Sequence, residues 1–209
     1  MGGDWYDVFT LPTGEVCAVI GDVAGTGLPA AVITGRIRSA LRAYALETTD
    51  PADVLERLDR KMRHFEPDAM ATVLCAMFSP SLDQVRISSA GHLPPLIACP
   101  GQPAGPADVP SDILIGVPSP KPRRVSTVCL PPGGVCLYTD GLVERRDRPI
   151  DDGIARLCAA IAAGDPEAAC ASVMAAMADD TPHSDDVAVL MLHRTSGSPA
   201  SPSPPMRWR

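Results

Sequence analysis

Two acidic segments flanking a hairpin signal constrain this chain more than any other feature. Gly2-Gly3-Asp4-Trp5-Tyr6-Asp7 leads into Val8 to Leu11; the breaker Pro12-Thr13-Gly14 follows; Glu15 to Ile20 then run into Gly21-Asp22-Val23-Ala24-Gly25-Thr26-Gly27. β-Favouring residues on both sides of a three-residue turn predict two antiparallel strands. If Leu11 faces Glu15 across that turn, antiparallel pairing brings Asp4 opposite Asp22. Like charges directly opposed weaken a ladder, so a chain that keeps them there is most simply explained by a cation between them. This hairpin end reads as half of a metal site.

Composition narrows what surrounds it. In 209 residues hydrophobic side chains make up 45% but aromatics only 4%, so the core must be built from Ala, Val, Leu, Ile and Met. No apolar run approaches the ~20 residues of a membrane span, and Met1 is followed by glycines and acids instead of a signal segment. A cytoplasmic chain that does not enter a membrane is expected. A net charge of −7 without a basic stripe argues against a nucleic-acid partner. The seven cysteines are odd in number and widely spaced, which suits free thiols, mostly buried, better than a disulfide framework.

Along the chain, Leu28 to Tyr44 carries Ile33, Ile37, Ala40 and Leu41 at helical spacing, with Arg36, Arg38 and Arg42 mostly off that stripe. Asp50-Pro51-Ala52-Asp53 offers an N-cap and a first-turn proline to a second helix, with Leu55, Leu58 and Met62 on its apolar face. Residues 70–78 read as a buried strand and 84–88 as a strand wet on one side, forming a second hairpin. The Pro- and Gly-rich stretch 100–122 predicts an irregular excursion. Two further strands, 125–130 and 135–139, are followed by helices over 151–163 and 166–177, and a closing strand over 187–192. Residues 195–209 are Ser/Pro-rich and read as a disordered linker or tail after a domain spanning 1–194.

The strand 135–139 ends at Asp140, and Thr181 to Asp186 lead into the closing strand. Antiparallel pairing of those two strands puts Asp140 and Asp185 at a common sheet end. Asp4, Asp22, Asp140 and Asp185 thus form a candidate shell made only of oxygen, which selects hard ions such as Mn²⁺ or Mg²⁺ over zinc. Two such ions ~3.5–4 Å apart activate a bridging water and hold phosphoryl oxygens. No Cys is followed six positions later by Arg, as a cysteine-based phosphatase loop requires, and no GxxxxGK[ST] loop is present. Single strand-end aspartates are commonly turn formers, so the weight lies on the four together. Asp7 and Asp186 read as exposed turn residues in preference to outer-shell partners. His92, alone beside a turn, reads as structural.

The set of motifs resembles a known family. Gly2-Gly3-Asp4-Trp5-Tyr6-Asp7, Gly21 to Ala31, Ala90-Gly91-His92-Leu93-Pro94-Pro95, Tyr138-Thr139-Asp140-Gly141-Leu142 and Asp185-Asp186-Val187 occur in the order found in the metal-dependent protein phosphatases (type 2C-like), in their bacterial stress-response and sporulation branch. The resemblance covers residues 2 to about 194. It implies an α+β fold, an αββα sandwich of two antiparallel sheets flanked by helices. It implies hydrolysis of phosphoserine or phosphothreonine by a metal-activated water, on an anti-anti-sigma-type regulatory protein in sigma-factor partner switching. By motif, Asp22 would bridge two metal ions with the Val23 carbonyl beside it, Asp4 would complete one shell, and Asp140 and Asp185 would hold the other; Asp22 and Asp140 would be the catalytic pair. Thr26 stands where the family commonly has His. Members also carry a strand ahead of the GGD motif, so the sequence predicts a sheet edge short of one strand. It also predicts a segment of a longer chain with sensor or kinase domains, or a start set too late. Two other readings compete: a catalytically silent phosphoprotein-binding module of the same fold, and a nucleotide cyclase suggested by GGD. Trp5-Tyr6 stands where the cyclase motif continues Glu-Phe.

Overall fold

The hairpin forms in the expected register. In the computed structural model, which describes residues 3–130, 132–145, 147–161, 165–178 and 186–194, β1 (Trp5–Thr10) pairs antiparallel with β2 (Val16–Val23), from Thr10 opposite Val16 to Trp5 opposite Gly21. The Leu11 N–H donates to the Glu15 carbonyl at 2.8 Å and closes the turn. At the far end the Val23 N–H donates to the Gly3 carbonyl at 3.2 Å, so pairing continues through Asp4 and Asp22.

Next come α1 (Gly27–Ala45) and α2 (Pro51–Phe65), then β3 (Ala71–Phe78), β4 (Gln84–Ala90), β5 (Leu96–Ala98), β6 (Gly105–Pro106), β7 (Ser111–Asp112), β8 (Ser126–Cys129) and β9 (Gly133–Tyr138). The chain closes with α3 (Asp140–Val143), α4 (Ile150–Ala160), α5 (Pro166–Met177) and β10 (Val189–Arg194). One sheet has the order β1-β2-β3-β4, with β7 and β8 sharing the outer edge of β4; the other has the order β10-β9-β5-β6. Only the short β4–β7 contact is parallel among the described pairs. The excursion over 100–122 is less irregular than expected, because it supplies β6, β7 and a bridge from Ile115 to Ala71.

Side-chain alternation builds the layers. On β2 the residues Cys17 and Val19 face α1 and α2, meeting Ile37, Leu41, Leu55, Leu58 and Met62. The alternate residues Ala18 and Ile20 face the second sheet, together with Leu74, Ala76, Phe78, Val135 and Leu137. On the outer side of that second sheet, Leu96, Cys136 and Tyr138 pack under Leu157, Val173 and Met177. The result is the αββα sandwich. Its core is aliphatic as composition requires, with Trp5, Phe78 and Tyr138 the aromatics buried among the described residues.

Both helix starts read from sequence are capped as expected: the Ala52 N–H donates to Asp50 Oδ1 and the Ala168 N–H to Asp165 Oδ2, each at 2.9 Å. Two expectations change. Strand β4 is not wet along one side, since only Gln84 is exposed while Ser88 to Ala90 are buried where α2 packs over that face. Of the cysteines, Cys17, Cys75 and Cys136 are buried, three are partly covered and Cys129 is exposed; all are free thiols. No helix among the described residues is long and apolar enough to cross a membrane. The Ser/Pro-rich segment 195–209 lies outside the described residues.

Candidate metal centre

Asp22 occupies the inner row of β2, one step beyond Ile20, where the row leaves the apolar interior and reaches the mouth between the sheets. Asp4, the residue just before β1, faces it across the continued pairing. Asp140 arrives from the other sheet, as the residue that follows β9 and Thr139 and opens α3. Carboxylate oxygens of these three lie within 4.8 Å of one another, and all three residues are partly buried. Two sheets therefore deliver acids to one point.

Local contacts fix each acid. Thr139 Oγ1 donates to Asp4 Oδ2 at 2.7 Å and accepts the Ala188 N–H at 2.9 Å. Asp140 Oδ1 accepts the Gly141 N–H at 2.9 Å, and its carbonyl accepts the Glu144 N–H at 2.7 Å. The Asp22 N–H donates to Thr72 Oγ1 at 3.3 Å from the neighbouring strand.

Glycines shape the floor by what they lack. A Cβ on Gly3 would lie 2.0 Å from the Val23 carbonyl oxygen and 2.5 Å from Asp22 Oδ1, so those two oxygens converge in the space a side chain would fill. A Cβ on Gly21 would lie 2.3 Å from the Thr72 carbonyl and 3.0 Å from the Trp5 ring. The fit to a hard cation is good: the donors are all oxygen, three are carboxylates whose mutual repulsion a cation relieves, and a carbonyl stands beside them.

His92 follows β4 and is 5% exposed. Its Nε2 is 3.1 Å from the Tyr138 carbonyl oxygen and its Nδ1 is 3.0 Å from Thr72 Oγ1. Burial pushes its pKa down to about 4, partly offset by the bond to the Tyr138 carbonyl. The ring is neutral near pH 7, in keeping with a structural role. Asp7 is not a turn residue, since it lies within β1, and it is not one of the clustered carboxylates. It projects from the opposite face of β1, is buried, and accepts two bonds from the Arg42 guanidinium at 2.6 and 2.7 Å, with Arg38 at 3.7 Å. These cations hold its carboxyl below the usual range, the Arg42 hydrogen bond contributing most. Asp186 is exposed. Asp185 lies outside the described residues, although β10 pairs antiparallel with β9 as expected, Val189 opposite Tyr138.

Sequence reading missed Thr72 and Thr139. Thr72 pairs with Asp22, but α1 and α2 intervene between β2 and β3, so no turn in the sequence sets that register; the second could have been suspected from its place before Asp140. An open concavity of about 680 Å³ begins at Asp4 and is bounded by Tyr6, Ala31, Thr34, Arg38 and Val187. Another, of about 760 Å³, lies between α2 and residues 111–124, where arginines meet acids, Arg63 on Asp59 at 3.0 Å and Arg124 on Asp112 at 2.7 Å. Five cationic side chains, Arg60, Arg63, Lys121, Arg123 and Arg124, line it against three acids, Glu56, Asp59 and Asp112.

A model of the family described as Stage II sporulation protein E (SpoIIE) matches residues 12–195, a span that holds Asp22 and Asp140 but not Asp4. Among solved structures, the RsbU and RsbW domains of Rv1364c from Mycobacterium tuberculosis superpose with a TM-score of 0.83 at 28% identity, over 99% of this chain and 59% of that one. The chain thus spans well under two thirds of that relative. The SiaA-PP2C domain of Pseudomonas aeruginosa gives 0.75 at 22% identity over 92% and 81% of the two chains. The PP2C phosphatase domain and regulatory fragment of SpoIIE from Bacillus subtilis gives 0.76 at 17% identity over 94% and 58%.

Proposed function

Because the chain belongs to the SpoIIE family, we propose that it is a metal-dependent serine/threonine protein phosphatase whose carboxylate cluster holds two Mn²⁺ or Mg²⁺ ions. The observation that carries this reading is the convergence of Asp4, Asp22 and Asp140 within 4.8 Å at the mouth of the sandwich. Asp4, Asp22, the Val23 carbonyl, Asp140 and Asp185 are the ligands in this proposal. A structural relative, RsbX, is described in complex with magnesium, which supports a divalent ion.

When bound, the ions supply a nucleophilic water at neutral pH and neutralise charge on the phosphoryl group. The chain's own residues do the rest. Asp22 and Asp4 face each other because the hairpin register fixes them; Thr139 turns the Asp4 carboxylate by donating to Oδ2, and the Gly141 N–H turns that of Asp140. The concavity beside Asp4 is open to a phosphorylated segment of a protein. No side chain is required as a covalent nucleophile.

The substrate class in this proposal is phosphoserine or phosphothreonine on an anti-anti-sigma-type protein, within sigma-factor partner switching in the cytoplasm. Its support is the likeness to an RsbU domain joined to an RsbW domain, and to a structure described as a bacterial stressosome system. Sensor or kinase domains on the same polypeptide belong to the same proposal.

Phosphate release from a phosphoserine peptide and an aryl phosphate, with Mn²⁺, with Mg²⁺ and with EDTA, tests the enzyme reading. Activity should require metal and fall in Asp22→Asn and Asp140→Asn by more than ~100-fold, the upper end of what even outer-shell partners of a metal cost. Mn²⁺ binding without turnover on any phosphopeptide would leave a silent phosphoprotein-binding module instead.

A further inference from the structure

The two halves of the carboxylate cluster ride on different sheets. The packing between those sheets, Ala18, Ile20, Leu74, Ala76 and Leu137, is apolar and therefore non-directional. Metal-ligand distances tolerate only about 0.2 Å. Besides the Thr139 bond to Asp4, something directional must set the spacing between Asp22 and Asp140 at the mouth.

His92 is placed to do so. A carbonyl oxygen only accepts, so the contact with Tyr138 puts the ring hydrogen on Nε2. In the neutral ring Nδ1 is then an acceptor, and it takes the Thr72 hydroxyl hydrogen. With that hydrogen used, Thr72 Oγ1 accepts the Asp22 N–H. One polarised chain results, from the Asp22 amide through Thr72 and His92 to the carbonyl two residues before Asp140. It crosses from one sheet to the other, and every donor in it has an acceptor.

We propose that Thr72 and His92 are positioning residues that set the separation of Asp22 from Asp140 and so tune the cluster's affinity for a divalent cation. This rests on the metal reading of the cluster. Neither residue lines the concavity beside Asp4. The lowered pKa of His92 agrees with a ring that stays neutral and keeps this polarity across the physiological range.

Removing the imidazole would leave the buried Tyr138 carbonyl unpaired and endanger folding, so the discriminating variant is Thr72→Val. It keeps the shape and the strand preference and removes the hydroxyl alone, while Thr72→Ser keeps the hydroxyl. Mn²⁺ titrated calorimetrically into the metal-free proteins, with their melting temperatures measured alongside, is the readout. Thr72→Val should bind Mn²⁺ about 10–100-fold more weakly, the range for outer-shell partners of metal ligands, while folding cooperatively; Thr72→Ser should bind close to wild type. At saturating Mn²⁺, KM for an aryl phosphate should be unchanged and kcat reduced. Equal affinity in Thr72→Val and wild type overturns the proposal alone, as does equal weakening in both variants, which would implicate the methyl group. A wild-type protein that binds no Mn²⁺ overturns the metal reading and this proposal with it.

Discussion

Gly3 leaves a space that a methyl group cannot share with the Val23 carbonyl oxygen, 2.0 Å away, or with Asp22 Oδ1, 2.5 Å away. Gly3→Ala should therefore displace two candidate ligands at once and weaken Mn²⁺ binding by at least ~10-fold, as calorimetric titration would read it. A variant that binds normally would mean that these oxygens are not ligands. His92 carries a second prediction at this scale. Its folded pKa of about 4 lies below the ordinary value near 6.5, so the unfolded chain takes up the proton first as pH falls. Stability from this group is present above about 6.5 and declines toward pH 4, by up to ~1.4 kcal/mol per pH unit. Urea unfolding of the metal-free protein should show that slope, and His92→Gln should flatten it. Sequence made His92 legible as structural but said nothing of its partners, because Thr72 and Tyr138 are far from it in sequence and only folding brings them together.

Between elements, the Asp7 pair joins β1 to α1. A buried carboxylate gripped by Arg42 and approached by Arg38 fixes the helix that begins just past Asp22 against the strand that carries Asp4. Asp7→Ala should lower stability by about 1.5–3 kcal/mol, the range for hydrogen bonds to charged groups, and nearer the lower end because Arg42 is half exposed. The pH sign is that of a depressed carboxylate. The contribution is present above the unfolded pKa near 3.9 and is lost as pH falls through the lower folded value. Denaturant midpoints at pH 7 and pH 3 should converge in Asp7→Asn relative to wild type. Alternation along β1 places Asp7 opposite in sense to Asp4, so the sequence already held the fact that the two carboxylates project to different faces of the sheet. The second acid of the motif was nonetheless read as a turn residue, since no local pattern announces that Arg42 turns back onto it. The caps Asp50 and Asp165 were legible because an N-cap is a local contact, closed within three residues. The dry face of β4 was not, because α2 covers it and that packing leaves no trace in the strand's own polar spacing.

For the molecule as a whole, both hairpins and the pairing of β9 with β10 follow from turn signals and periodicity, and the layer order follows from motif resemblance. What pattern could not supply is the relation of one sheet to the other at the mouth, since Thr139 bonding Asp4 joins residues 135 positions apart. That relation has a thermodynamic consequence. A cation held by Asp4 and Asp22 from one sheet and Asp140 from the other binds only when the sandwich is closed, so its binding free energy adds to folding. At a free Mn²⁺ concentration 100 times Kd the gain is about 2.7 kcal/mol, or roughly 5–10 °C in melting temperature for a domain of this size. Thermal scans with Mn²⁺ and with EDTA should show that interval in the wild type. Asp22→Asn and Asp140→Asn should each erase most of it, although they alter different sheets and the metal-free melting temperatures need not change together. If Asp140→Asn kept the full shift while Asp22→Asn lost it, the ion would belong to the hairpin alone, and the closed mouth would have to be explained by the Thr139 and His92 bridges without metal.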